Sequence, residues 1–321
     1  MAATDFVAAQ KVNRRNTLLL LVVLTAVAAL TGYVVGWALE GEATDSVPLW
    51  SRAGLVIAAL LAAVSVVWSL ISLAAGDKMV LTLAGAKEME KPDAPQLYNV
   101  VEEIAIAAGQ PMPRVMILET DALNAFATGM RTGHGTIVVT RGLLDTLNRD
   151  ELQGVVAHEM SHLANLDTRY AVVVGVTVGL IALICQTILR TMAWGSWGGS
   201  SGRSSSSSDK KDGGAGLLIF LLIVVAIFAP LAAKAVQMAV SRQREYLADA
   251  TSVQFTRNPN GLISALQKID TKAGPFPGAG GATQHLFIVN PVRKFTKRTP
   301  ALLATHPDIA DRIARLRNLG A

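Results

Sequence analysis

The stretch VVAHEMSHLANL, Val155–Leu166, places His158 and His162 four residues apart around Glu159, in a run that is otherwise apolar and helical in pattern. Residues four apart on an α-helix are separated by about 40° around its axis, so the two imidazoles project side by side. Nitrogens so placed can occupy adjacent corners of a tetrahedral metal site, and zinc is the ion this ligand type favours. Glu159 lies about 100° round from His158, beside such an ion and not aimed at it, where a carboxylate can take a proton from bound water. The spacing is H-E-x-x-H. A catalytic ion also needs a third protein ligand and an open position for water. Further along, SRQREYLADA reads as a helix in which Glu245 and Asp249 share one face. Glu245 is the candidate third ligand. Asp249 is placed to accept the second ring N–H of a ligating histidine and so fix its tautomer. The expectation is one Zn2+ per chain. The alternative for the two carboxylates is a solvated face answering Arg242 and Arg244.

The elements that must position these residues are partly membrane-like. Of 321 residues 51% are hydrophobic and only 17% charged, below the roughly 25% usual in soluble domains. Mean hydropathy is +0.40. Apolar residues are concentrated in four runs without a charge, Thr17–Leu39, Ala53–Gly76, Tyr170–Leu189 and Gly213–Ala233. The first two exceed the ~20 residues that cross a ~30 Å hydrocarbon core; the last two are just long enough, and are read as a transmembrane or re-entrant hairpin. Between them lies a Gly/Ser tract of linker composition. Lys11, Arg14 and Arg15 precede the first run, whereas Glu40–Arg52 carries one arginine and three acids. By the positive-inside rule the amino terminus is cytoplasmic, and two crossings return the chain there at Asp77. The positive linker of the second hairpin opposes this count, but both readings keep the catalytic parts on the cytoplasmic side.

The predicted organisation is a tail over 1–16, two membrane helices over 17–76, a first part of the catalytic domain over 77–169 and the hairpin over 170–233. The second part of that domain comes after it, over 234–321. Within the first part, QLYNVVEEIAIAAG is a helix ending at Gly109, RVMILET and GTIVVTRG are strands, and the motif helix starts at Asp150. HPDIADRIARLRNLG is a last amphipathic helix. The fold class is α+β: a multi-pass α-helical membrane anchor with a mostly helical zincin domain carrying a small β-sheet.

HEMSH with a downstream REYLADA resembles the glutamate-zincin membrane proteases of the HtpX family, relatives of the CAAX prenyl proteases, over nearly the whole chain. LNAFATGM, Leu123–Met130, is similar to the family's edge strand lining the cleft, and HLFIVNP and THPDIADRIARL to its carboxy-terminal signature. The resemblance implies that Asn124, Ala125, Phe126 and Ala127 bind substrate. An extended peptide can add to such an edge through its backbone, with loose sequence specificity. It also implies oxyanion stabilisation by His306, with Arg312 orienting the histidine or contacting substrate.

The predicted activity is hydrolysis of peptide bonds by metal-activated water, with Glu159 taking the water's proton and passing it to the leaving amine. Substrates implied by the resemblance are damaged or misfolded membrane proteins at a bacterial-type inner membrane. Processing of CAAX-type or signal peptides is the alternative within the enzyme class. A silent scaffold with structural zinc is a second, and it has no use for Glu159. A metal transporter would need polar residues within the spans. The net charge of +5 comes with only 5% aromatic residues and no recognition motif, so the lipid bilayer and polypeptides, not nucleic acid, are the expected partners. Nothing in the sequence specifies an oligomeric state.

Overall fold

A computed structural model describes residues 6–44, 50–177, 242–272 and 307–319. The fourth apolar run, most of the third, the Gly/Ser tract, HLFIVNP and His306 lie outside the described residues. The chain divides into two compact units. One comprises Met1–Leu19, Ile71–Val176 and Ala235–Ala321; the other comprises Leu20–Leu70 and Thr177–Lys234.

The described part of the second unit is chiefly the carboxy-terminal part of helix α1 (Phe6–Thr44), from Leu20 on, and the first part of α2 (Arg52–Ala84), to Leu70. Both helices are long and apolar enough to cross a membrane, over Val7–Trp37 and Arg52–Ala84. Their contact is a seam of small residues. A Cβ on Gly36 would lie 2.6 Å from the Ala53 carbonyl, and Thr25 and Ser65 share a hydrogen bond of 3.1 Å. Large side chains such as Leu30, Leu60, Val64 and Leu70 point outward. Small residues inside and large ones outside is the arrangement expected where lipid, not water, surrounds a helix pair. Glu40 accepts from Ser51 and from the Ala53 amide, so the acid closest to the apolar run caps the start of α2.

Both helices outrun the apolar segments. The stretch from Phe6 to Asn16, expected as a tail, is helical, and α2 continues past Asp77 to bury Val80 and Leu81. An apolar run marks the part of a helix that suits lipid; it does not mark where helical hydrogen bonding stops.

In the first unit, β1 (Lys87–Glu88), β2 (Arg114–Leu118), β3 (Ala125–Arg131) and β4 (His134–Thr140) form a sheet ordered β1-β2-β4-β3. Only the β2–β4 pair is parallel. The strands MIL and TIVVT read as continuous apolar runs because they are buried along their length. Strand β3 stands at one edge. Helix α3 (Pro95–Ala107) opens with a proline at its first position and is followed by Gly109, as expected. After β4 a short helix, α4 (Arg141–Thr146), leads to α5 (Arg149–Asn165), the centre of this unit.

Helix α5 packs against α3, β3 and β4, and against α7 (Arg242–Thr256) and α8 (Pro259–Lys272); α9 (Ile309–Leu319) packs on α7 and α8. Its start is two residues earlier than the cap read from the sequence at Asp150. The Asn148 side chain accepts from the Glu151 amide while Glu151 accepts from the Asn148 amide, a reciprocal pair that satisfies two orphan donors. The buried Glu151 also takes Lys268 Nζ and Ser264 Oγ at 2.6 Å each, tying the first turn of α5 to α8. At its other end Leu166 turns left-handed, with φ of 57°, and α6 begins over 167–177.

Gly154 lets α5 and α8 approach closely: a Cβ there would stand 2.6 Å from the Leu262 amide nitrogen. Alanine favours a helix over glycine by about 1 kcal/mol, whereas forcing backbones apart in a packed core costs roughly 1–3 kcal/mol. Gly154→Ala is therefore expected to lower the thermal unfolding temperature of the detergent-solubilised protein. An unchanged or raised temperature would contradict this packing.

Candidate metal centre

Because α5 is central, His158 and His162 face α7 inside the protein. Their Nε2 atoms are 3.3 Å apart. Glu245, from the first turn of α7, brings one carboxylate oxygen to 3.7 Å from His158 Nε2 and the other to 3.6 Å from His162 Nε2. Sites 83 and more residues apart in sequence thus meet, and the three offer ligand atoms within 4.8 Å of one another. His158 and Glu245 are buried and His162 is partly exposed, so the cluster opens to solvent on the His162 side.

The outer nitrogens decide what the inner ones can do. His158 Nδ1 lies 2.9 Å from Asp249 Oδ1, and His162 Nδ1 lies 3.1 Å from Asp167 Oδ2. A carboxylate accepts only, so each Nδ1 donates, and each neutral ring then turns the lone pair of Nε2 inward. Two lone pairs and a carboxylate converge with no donor among them. That geometry calls for a cation, and two imidazoles with one carboxylate are a donor set that fits a catalytic metal with a position left for water.

Charge gives the same answer. Among the described residues, the carboxylates of Glu159, Asp167, Glu245 and Asp249 gather here against the guanidiniums of Arg244 and Arg312. With both imidazoles neutral and Glu159 ionised, two negative charges are left for a divalent ion to neutralise. Arg312, from α9, is wholly buried and grips Asp249 with two hydrogen bonds, Nε to Oδ2 at 2.9 Å and Nη2 to Oδ1 at 2.6 Å. The same guanidinium is 3.4 Å from His158 Nδ1 and 3.8 Å from Glu245. Arg312 thus braces Asp249 behind His158, a contact the sequence did not suggest; His306, the histidine it was expected to orient, lies outside the described residues.

Burial pushes the Asp249 carboxyl up, but Arg312 and the His158 hydrogen bond outweigh it and hold it down at about 2. Burial also drives His158 below the ordinary imidazole value, assisted by Arg312. At His162 burial is overcome by the Asp167 hydrogen bond and by Glu245, and the ring is held up at about 9. With no ion bound, a proton on His162 is the cation that relieves the convergence. Glu159, buried beside the pair, is pushed up to about 7 by burial, opposed by His162, while the Ala127 amide donates to it.

That amide belongs to β3. The Thr140 amide donates to the Asn124 carbonyl, which sets the antiparallel alternation and turns the backbone groups of Ala125 and Ala127 away from β4. The outer edge is partly engaged already: the Ala125 amide meets the Asn124 side chain, and Thr168 donates to the Gly129 carbonyl. Asn124 and Phe126 are buried. Of the predicted site residues, His158, Glu159, His162, Glu245, Asp249, Arg312 and Ala127 come together, and His306 lies outside the described residues. Asp167 was missed. Its sequence signal is faint, because the left-handed turn that swings it back toward His162 falls on a leucine and not on a glycine.

A metal must displace the proton on His162, whose folded value is raised, so affinity falls as pH drops below about 9. Competition with a chelator from roughly pH 7 to 10 is expected to show binding about tenfold tighter per pH unit, levelling off near the top of the range. A flat profile would contradict the proposed competition.

Residues 91–320 match the family description "Peptidase family M48". The chain is 40% identical to a protease HtpX homolog of Caldanaerobacter subterraneus over 310 residues, 97% of this chain and 96% of the relative. It is 42% identical to the homolog of Thermoanaerobacter pseudethanolicus over the same shares, and 40% identical to that of Streptococcus agalactiae over 96% of this chain and 97% of the relative. Among solved structures it is similar to S. mikatae Ste24p, at 19% identity and a TM-score of 0.46, covering 79% of this chain and 56% of that one. The chain therefore belongs to peptidase family M48 and is a membrane metallopeptidase that acts on polypeptides.

Proposed function

We propose that this chain is a zinc-dependent endopeptidase that cleaves damaged or misfolded membrane proteins at the cytoplasmic face of a bacterial-type inner membrane. His158, His162 and Glu245 hold the ion, and Glu159 is the general base. The observation that carries the reading is the convergence of three electron-pair donors, with both outer imidazole nitrogens tied to carboxylates. The bound ion supplies a Lewis acid and a water of lowered pKa.

The remaining work falls to side chains. Glu159, buried beside the two imidazoles, would take a proton from the bound water and return it to the leaving amine. Asp249 and Asp167 keep both imidazoles in the tautomer that points Nε2 inward, and Arg312 keeps Asp249 charged. Substrate lies extended along Asn124–Ala127, meeting the backbone carbonyls of Ala125 and Ala127 that turn away from β4, since both amides are already engaged. His306 stabilises the oxyanion. The anchor is multi-pass, with crossings over 17–76 before the first catalytic piece and a membrane or re-entrant hairpin over 170–233 between the two. Two long helices with outward apolar side chains support the first of these. Placement beside lipid would bring the exposed loops of faulty membrane proteins to the cleft.

Glu159→Gln keeps the size and the hydrogen-bonding oxygen but removes the base. Purified protein carrying it is expected to retain its metal while casein hydrolysis falls by roughly 10²–10⁴. Cleavage at the unsubstituted rate with metal retained would overturn the role of Glu159.

A further inference from the structure

The metal centre reaches into α1. Asn13 is buried although it stands just before an uncharged apolar run. Its side-chain amide donates to the Asn165 carbonyl at 2.9 Å and to Asp167 Oδ1 at 2.8 Å, which uses both of its N–H groups. The first acceptor is one of the carbonyls that the last turn of α5 leaves without an intrahelical donor. The second belongs to the carboxylate whose other oxygen faces His162 Nδ1 at 3.1 Å. One amide thus fixes both the end of the histidine-bearing helix and the group that sets the tautomer of its second histidine. Arg244 is 3.7 Å from the same oxygen, within ion-pair reach but beyond a directional hydrogen bond. Gln10, three residues earlier on α1, donates to the Ala164 carbonyl at 2.8 Å, and so binds the same helix end at a different carbonyl.

We propose that Asn13 is a positioning residue of the metal centre: it holds Asp167 against His162, so that metal retention depends on α1 being docked to the end of α5. This rests on His162 being a metal ligand. A neutral amide suits the place. A carboxylate would repel Asp167, and an apolar side chain would leave both the carboxylate and the helix-end carbonyl without their donor. Helix α1, which by sequence is only an anchor, becomes part of the support of the site.

The test uses the full-length protein in detergent, loaded with Zn2+ or Co2+ and titrated against a competing chelator, with the Co2+ ligand-field spectrum recorded. Alanine is the strongest helix former, so Asn13→Ala leaves α1 helical. It is expected to weaken metal binding by roughly 10–100-fold and to shift the Co2+ spectrum, as loss of a partner behind a ligating histidine does. Asn13→Asp, equal in size but with an acceptor toward Asp167, is the second variant and has the same expected loss. Gln10→Ala removes a hydrogen bond of the same kind from the same helix end and is expected to stay within about twofold. The inference is overturned if both Asn13 variants keep the unsubstituted affinity and spectrum while His162→Ala loses the metal, or if Gln10→Ala loses as much as Asn13→Ala. Unsubstituted protein that binds no metal, or a His162→Ala variant that binds it normally, refutes instead the reading of the site.

Discussion

Three electron-pair donors pointed at one another cannot stay that way without a cation. Around His158, His162 and Glu245 the protein does more than tolerate this conflict; it enforces it. Asp249 and Asp167 pin the outer nitrogens, so neither ring in its neutral form can turn its N–H inward, and only an added cation, a metal ion or a second proton on His162, softens the contact. Most of the surrounding fold supports that arrangement. Helix α5 is buried nearly all round so that its histidines face inward, α7 arrives with the carboxylate, and α9 delivers a fully buried arginine behind Asp249.

Burying so many charges is tolerable only as a network. Removing one partner of a buried ion pair costs about 3–5 kcal/mol, because the other is left uncompensated. Arg312 answers Asp249, Lys268 answers Glu151 at the start of α5, and Arg244 and Asn13 meet Asp167 at its end. The motif helix is therefore fixed by polar contacts at both termini and by close apolar packing between, where Gly154 lets α8 approach. Glu159 stands apart from these pairs. Its carboxyl is buried and receives the Ala127 amide, and its raised pKa reflects burial that the neighbouring cations only partly offset.

Much of this was legible because it is local. Four-residue spacing put His158 beside His162, and Glu245 beside Asp249, on single helix faces, and the apolar β-branched runs marked β2 and β4. That the two helices meet was not in the spacing itself; the need of a catalytic ion for a third protein ligand pointed to Glu245, and the resemblance to a known family supported it. The cap of α5 was misjudged by two residues, since Asn148 and Asp150 are both good caps and only the reciprocal bond with Glu151 separates them. Asp167 and Asn13 were invisible for a different reason. The first depends on a left-handed leucine, and the second on a contact across 154 residues whose partner no periodicity reveals.

The central claim is that a metal ion sits between the two imidazoles and the Glu245 carboxylate. X-ray absorption spectroscopy of the zinc-loaded protein reads this directly. The expected first shell is two imidazole nitrogens and carboxylate or water oxygen at about 2.0–2.2 Å, with one oxygen lost or displaced in Glu245→Gln. A shell with fewer than two imidazoles, or one that Glu245→Gln leaves unaltered, would contradict it.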